Sequence, residues 1–258
     1  MKKLSISPIR ALSLAILAIV SPALAESLPS LVAKGDDADH SFNPAKALDC
    51  YLPAEKMDPD NVSLLLKISR QYRHLMTDTA NQAKKLEYGR MALAYDSRVS
   101  KLAPGNSDAQ LSQAITYGKL MPYLGKKEQV AASPVVKAAA DRALKLNPGN
   151  DTAWHVLGRW NQALANVSGI KRTMGGMLYG KLPTGSYEES VKCFGHAIAI
   201  DSNRPRHYIE LGHTYALAGQ PENARKYLKK GLSLPSKEKD DPEIKELGKE
   251  TLASLPKE

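Results

Sequence analysis

Four helix-breaking motifs recur along the chain and constrain its fold more than any other feature. They are Met57-Asp58-Pro59-Asp60-Asn61, Leu102-Ala103-Pro104-Gly105-Asn106, Leu146-Asn147-Pro148-Gly149-Asn150 and Ile200-Asp201-Ser202-Asn203. Proline cannot continue a helix, and Asn or Gly tolerates the left-handed conformation that reverses a chain. Apolar residues of helical period precede each motif, as in Val136, Ala140, Ala143, Leu144 and Leu146. A chain punctuated in this way is a series of helical hairpins. Only two Phe and two Trp occur, and no run alternates β-branched with polar residues. The expected class is all-α.

The motifs lie 45, 44 and 54 residues apart, longer than the roughly 34 of a plain tetratricopeptide array and close to a HEAT-like period. Residues within the units decide between them. Trp154, Leu157 and Gly158 match a tetratricopeptide first helix, in which a small residue admits the partner helix. Ser190, Phe194 and Ala197 match the second helix. Tyr208, Leu211, Gly212, Tyr215, Gly219, Ala224, Leu228 and Gly231 repeat the whole pattern at normal length. The expected fold is therefore a tetratricopeptide-like solenoid with extended hairpins and a C-terminal capping helix.

Helices are expected near 44–57, 61–77, 80–103, 107–121, 133–146, 151–167, 186–200, 204–218, 221–233 and 241–254. The last follows a charged linker, Ser236 to Asp241, and would cover the final apolar face of the stack. Extra length falls near Thr77 to Lys84, near Pro122 to Ser133, and mainly from Ala165 to Gly185. That longest insertion carries Ile170, Met174, Met177, Leu178 and Leu182 beside Lys171, Arg172 and Lys181. It reads as a helix extension packed on its own array, or as an adaptable surface for a partner or membrane.

The N-terminus has the form of an export signal. Met1-Lys2-Lys3 is basic, Ala11 to Val20 is apolar, and Ala23-Leu24-Ala25 supplies small residues for cleavage. The apolar run is shorter than the roughly 20 residues that span a bilayer. Cleavage after Ala25 is expected, with a periplasmic or secreted location in a bacterium and no transmembrane segment after processing. Residues 1–25 are then the signal, 26–43 a flexible polar leader, and 44–258 the repeat domain. In an oxidising compartment Cys50 and Cys193 either form a disulfide or stay as buried thiols.

Formal charge is +9, from 36 basic and 27 acidic residues. That excess favours acidic partners or an anionic surface. No Arg-rich tail or aromatic-interleaved basic stretch accompanies it, so nucleic acid is not an expected partner.

First helices of a tetratricopeptide array line its concave face. Setting the register by Gly158 and Gly212 turns His155, Arg159 and Gln162 inward in one repeat, and Arg206 and His213 in the next. Arg70, Arg73 and His74 are the equivalents in the first full repeat, and Lys119 contributes from the repeat between. Such a wall attracts an acidic peptide, a terminal carboxylate or a lipid phosphate. The same residues could instead pair with Glu or Asp of neighbouring helices. Trp160 lies on a different side of its helix from Trp154, and is either core or an exposed binding aromatic.

The order of these pieces resembles a known family. Leu64 to Arg70, Leu146-Asn147-Pro148, Leu157-Gly158-Arg159-Trp160, the long insertion with Lys171-Arg172, and Ser186-Tyr187-Glu188-Glu189-Ser190 are similar to the regulator of microtubule dynamics family. The resemblance covers roughly residues 45–255. It implies a tetratricopeptide-like domain, protein interaction, association with microtubules, and contact with organelle surfaces or phospholipid in membrane-anchored members. An exported bacterial protein meets no microtubules, so the fold and the binding role carry over and the microtubule partner does not.

No catalytic constellation stands out. Gly175 to Lys181 begins like a phosphate-binding loop, but Leu182 replaces the hydroxyl residue that holds magnesium and Pro183 follows. The six histidines, His40, His74, His155, His196, His207 and His213, lack metal-ligand spacing. No nucleophile elbow occurs, and Cys193 beside Phe194 suits packing. Neither cofactor nor metal is expected. The expectation is a non-catalytic binding protein of the cell envelope whose basic groove holds an acidic or extended protein segment. The alternative is a phospholipid-binding or lipid-carrying repeat protein.

Overall fold

A computed structural model describes residues 26–167 and 183–256. The main insertion, its apolar and basic residues, the Gly175–Lys181 sequence and the expected signal lie outside the described residues or largely so. Among the described residues there are eleven α-helices, one 3₁₀ turn and no strand. In chain order the helices are α1 (Leu28–His40), α2 (Pro44–Met57), α3 (Val62–Asp78), α4 (Gln82–Leu102), α5 (Ser107–Leu120), α6 (Lys126–Leu146), α7 (Asp151–Ala165), α8 (Tyr187–Ile200), α9 (Pro205–Leu217), α10 (Pro221–Ser233) and α11 (Asp241–Ser254). They pack as five antiparallel hairpins, α1–α2 to α9–α10, each against its neighbours, with α11 laid on α9 and α10.

Asparagine opens most of these hairpins, by a route different from the expected one. Asn61, Asn106 and Asn150 are N-caps with negative φ, and their side chains accept from the backbone N–H of Leu64, Ala109 and Ala153. Asn43 and Asn81 do the same for Lys46 and Lys84. Each satisfies one of the orphan donors of the first turn. Among the described residues only Phe42 and Gly219 have positive φ. The motif is a helix start, and not a left-handed turn.

Small residues set the spacing within the hairpins. A Cβ on Gly158 would meet the Phe194 ring at 2.8 Å, and one on Gly212 would meet Leu228 Cγ at 2.7 Å. Both glycines point into their partner helices, as their register requires. Phe194 and Leu228 are fully buried. Trp160 is buried as well, and its Nε1–H donates to the carbonyl and hydroxyl of Ser133 on α6 at 3.0 and 3.1 Å. It belongs to the core.

The leader is the clearest correction. Residues expected to be loose form α1, which packs Leu31, Gly35 and Ala38 against α2. The Tyr51 ring lies over Gly35, and its hydroxyl donates to Asp36 Oδ1 at 2.6 Å. The polar sequence hid a helix that buries only a narrow stripe. Of the two longest helices, α4 spans Gln82–Leu102 much as expected. The other, α6, expected from residue 133, begins at Lys126 after a 3₁₀ turn over Met121–Tyr123 and runs 21 residues. Both cysteines are free, Cys50 half-buried and Cys193 buried. Burial pushes the Cys193 thiol up to about 11, which suits packing and not nucleophilic attack.

Candidate functional site

The first helices α3, α5, α7 and α9 carry the residues expected on the inner wall. Each cation among them has a carboxylate partner, contrary to an unpaired basic surface. Arg70 donates to Asp39 on α1. Lys119 Nζ lies 2.5 Å from Asp240 Oδ2, Arg159 Nη1 lies 2.5 Å from Glu210 Oε1, and Arg206 pairs with Glu238. These acids come from a helix taken for a leader, from a neighbouring repeat, and from a linker. None was within helical reach in sequence.

Arg73 does not line a groove at all. It is buried between helices, with Nη1 2.7 Å from Ser69 Oγ, 3.3 Å from Thr116 Oγ1 and 3.5 Å from Asp96 Oδ1. Asp96 is fully buried and also accepts from Thr116 at 2.5 Å. This cluster ties α3, α4 and α5 together. Gln162 is likewise structural: it is buried and donates to Thr214 Oγ1 at 2.9 Å.

A polar chain joins α7 and α9. His155 Nδ1 and His207 Nδ1 are 3.0 Å apart, His207 Nε2 is 2.9 Å from Asp151 Oδ2, and Arg204 Nη1 is 2.5 Å from the same oxygen. With Asp151 ionised, His207 donates from Nε2, so its Nδ1 accepts from His155. Burial, with the nearby arginines, holds His155 well below the usual histidine range. Burial also depresses His207, although Asp151 opposes it. His213 pairs with Thr251 Oγ1 at 3.0 Å. Among the described residues no group of His, Cys, Asp or Glu could hold a metal ion.

The remaining inner-wall residues converge on one segment that the sequence presents merely as a linker. Between α10 and α11, residues Lys237 to Asp241 turn across the first helices α3, α5 and α9. Glu238 pairs with Arg204 and Arg206 at the start of α9, Lys239 Nζ lies 2.7 Å from Asp78 at the end of α3, and Asp240 reaches Lys119 on α5. Asp241 is buried and accepts from the backbone N–H of Lys237 and Glu238 at 2.7 and 2.8 Å, which fixes the turn. Burial works to raise the Asp240 carboxyl, but Lys119, His74 and Arg206 together hold it below its ordinary value. His74 is depressed to about 4 by burial. Arg204, Glu238, Lys239 and Asp240 were missed as site residues, and the alternating charges of the linker were the available signal.

A family model described as Regulator of microtubule dynamics protein 1-3 matches residues 31–256. Curated relatives include Regulator of microtubule dynamics protein 1 of Mus musculus, 27% identical over 202 residues, covering 78% of this chain and 66% of the relative. The protein of the same name in Rattus norvegicus is 28% identical over 192 residues, covering 74% of this chain and 61% of the relative. The chain thus matches less than two thirds of the length of these two relatives. Among solved structures, TTC0263, a thermophilic TPR protein of Thermus thermophilus, superposes with a TM-score of 0.63 at 14% identity, covering 88% of this chain and all of that one. That likeness shows a tetratricopeptide-type fold.

Proposed function

The chain belongs to the regulator of microtubule dynamics family, and from that premise we propose that it is a non-catalytic binding scaffold whose inner face holds an acidic segment of another protein. The observation that carries this reading is the convergence of Lys119 from α5 and of Arg204 and Arg206 from the start of α9 on one pair of acids, Glu238 and Asp240. Basic residues gathered on a concave wall focus potential and favour anionic partners. The tetratricopeptide-type fold suits such a role, because stacked hairpins make extended concave surfaces.

The location proposed is the cell envelope, on the strength of the N-terminal sequence. In that compartment the microtubule in the relatives' name is no partner, so the binding role is kept without it. Absence of enzymatic activity is part of the proposal, supported by depressed histidines and a raised thiol that are all engaged in packing.

Co-purification from envelope extract tests the reading. Chain bearing Arg70→Glu, Arg159→Glu and Arg206→Glu should lose the proteins that wild-type chain captures. An unchanged set of captured proteins rejects the inner face as the site. Mass spectrometry of an organic extract of the same preparation decides against the alternative if no phospholipid accompanies the protein.

A further inference from the structure

The segment Lys237–Asp241 is seated on first helices in the manner of a ligand. Its turn is closed by the Asp241 N–H donating to the Glu238 carbonyl at 3.0 Å, and it presents two carboxylates one residue apart to cations of α5 and α9. The fit is incomplete. Three buried polar atoms at this place, His74 Nδ1, Arg206 Nε and Asp240 Oδ1, have no hydrogen-bond partner. A buried polar group left unpaired forfeits its hydration with nothing in return. Beside the turn, a cleft of about 180 Å³ remains between Asn203, Arg204, Lys237 and Glu238.

A segment whose only role was to join α10 to α11 needs none of these contacts. Its two carboxylates could face solvent at no cost, yet they are drawn to cations at the start of the preceding hairpin and, 121 residues away, to Lys119. The pairs are partly exposed, the side chains keeping from 17% of their surface at Arg206 and Asp240 to 27% at Lys119 and 37% at Glu238. Ion pairs that keep contact with solvent contribute less net stability than fully buried ones. They can be exchanged for equivalent pairs from another chain.

We propose that Lys237–Asp241 is a displaceable internal surrogate, and that the partner presents an acidic turn of the same chemistry, two carboxylates separated by one residue, to Lys119, Arg204 and Arg206. This rests on the binding reading given above and names the chemistry of its partner. A partner turn with an extra acceptor for Arg206 Nε satisfies an atom that the internal turn leaves unpaired. The partner and the internal turn compete for one set of cations, so affinity in the intact chain is set by the difference between them.

The experiment uses full-length chain and a fluorescein-labelled peptide of the chain's own sequence over residues 234–241, followed by fluorescence anisotropy. A control peptide carries Gln and Asn in place of its Glu and Asp residues. Wild-type chain should bind the acidic peptide weakly. The variant Glu238→Gln/Asp240→Asn should bind it at least tenfold more tightly, and neither chain should bind the control. The gain should vanish when Lys119→Glu and Arg206→Glu are added. If the double variant loses helix content, Asp240→Asn alone is read in the same way, with a gain of about threefold.

Equal peptide affinity in wild-type and released chains, at unchanged helix content, overturns the proposal. So does equal binding of the control peptide, or binding of the released chain to anionic phosphatidylglycerol vesicles but not to peptide. If groove reversal abolishes partner capture while release brings no peptide binding, the surrogate fails and the binding scaffold stands. If capture survives reversal, the wider reading fails.

Discussion

The ring of Phe194 lies against Gly158 so closely that a Cβ there would meet it at 2.8 Å, and the ring is fully buried. A rigid aromatic held on all sides cannot move aside. Gly158→Val should therefore destabilise the chain by about 2–4 kcal/mol, combining overpacking with low helix propensity. Gly195, on α8, has nothing within 4 Å of its would-be Cβ. There Gly195→Ala should stabilise by about 0.5–1 kcal/mol. Urea unfolding monitored by circular dichroism compares the two, and equal effects would reject the close contact.

Asp96 compensates a buried guanidinium. Removing it by Asp96→Ala leaves Arg73 charged and unpaired among α3, α4 and α5. The expected loss is about 3–5 kcal/mol. Arg73→Met combined with Asp96→Leu should recover most of it, because the cost lies in the unpaired charge. Chemical denaturation of single and double variants tests this, and additive losses would count against it.

Two asparagine caps separate capping from cross-repeat bonding. Asn81 is exposed and caps α4 alone. Asn150 caps α7 and also donates to Ser107 Oγ and Asp108 Oδ1 of the preceding repeat, both at 2.9 Å. Asn81→Ala should cost about 1 kcal/mol, and Asn150→Ala about 2–3 kcal/mol. A thermal melt showing the larger drop at Asn81 would be the wrong order.

Acid should weaken the fold before its carboxylates titrate. Burial depresses His74 (to about 4), His155, His207 and His213 below the ordinary 6.5. The unfolded chain then binds more protons than the folded one below pH 6.5. Stability is full above that value and declines as pH falls towards 4. Each unit of depression corresponds to about 1.4 kcal/mol. The midpoint temperature should fall between pH 7 and pH 5, where a flat profile contradicts buried neutral imidazoles. Below pH 4, protonation of Asp151 and Asp240, both held under their ordinary values, should steepen the loss.

Features repeated at fixed intervals were legible in the sequence, and features built from distant segments were not. Gly158, Gly212 and their aromatic and leucine neighbours sit where repeat register put them, because hairpin packing is local. The same logic held for α1 but went unread. Tyr51 follows Gly35 by the sixteen residues that separate Leu228 from Gly212, yet Asp36, Asp37 and Asp39 made the stretch look unstructured. The expected groove residues do lie on first helices, but Arg73 and Gln162 are buried between helices there. The charge balance of the others was not legible, because Lys119 and Asp240 are 121 residues apart and no helical period reports on such a pair. Arg73 was misplaced for a related reason: its buried partner, Asp96, belongs to the second helix of the hairpin.

A stack in which every hairpin touches only its neighbours behaves mechanically as a spring, free to lengthen by small rotations at each junction. The turn between α10 and α11 alters that behaviour, since Lys239 ties it to Asp78 on α3 and Asp240 ties it to Lys119 on α5. It acts as a stay strung between the middle of the coil and its far end. Opening the pitch between those hairpins parts the same two ion pairs that release of the turn parts, so stretching the array and freeing the turn favour one another.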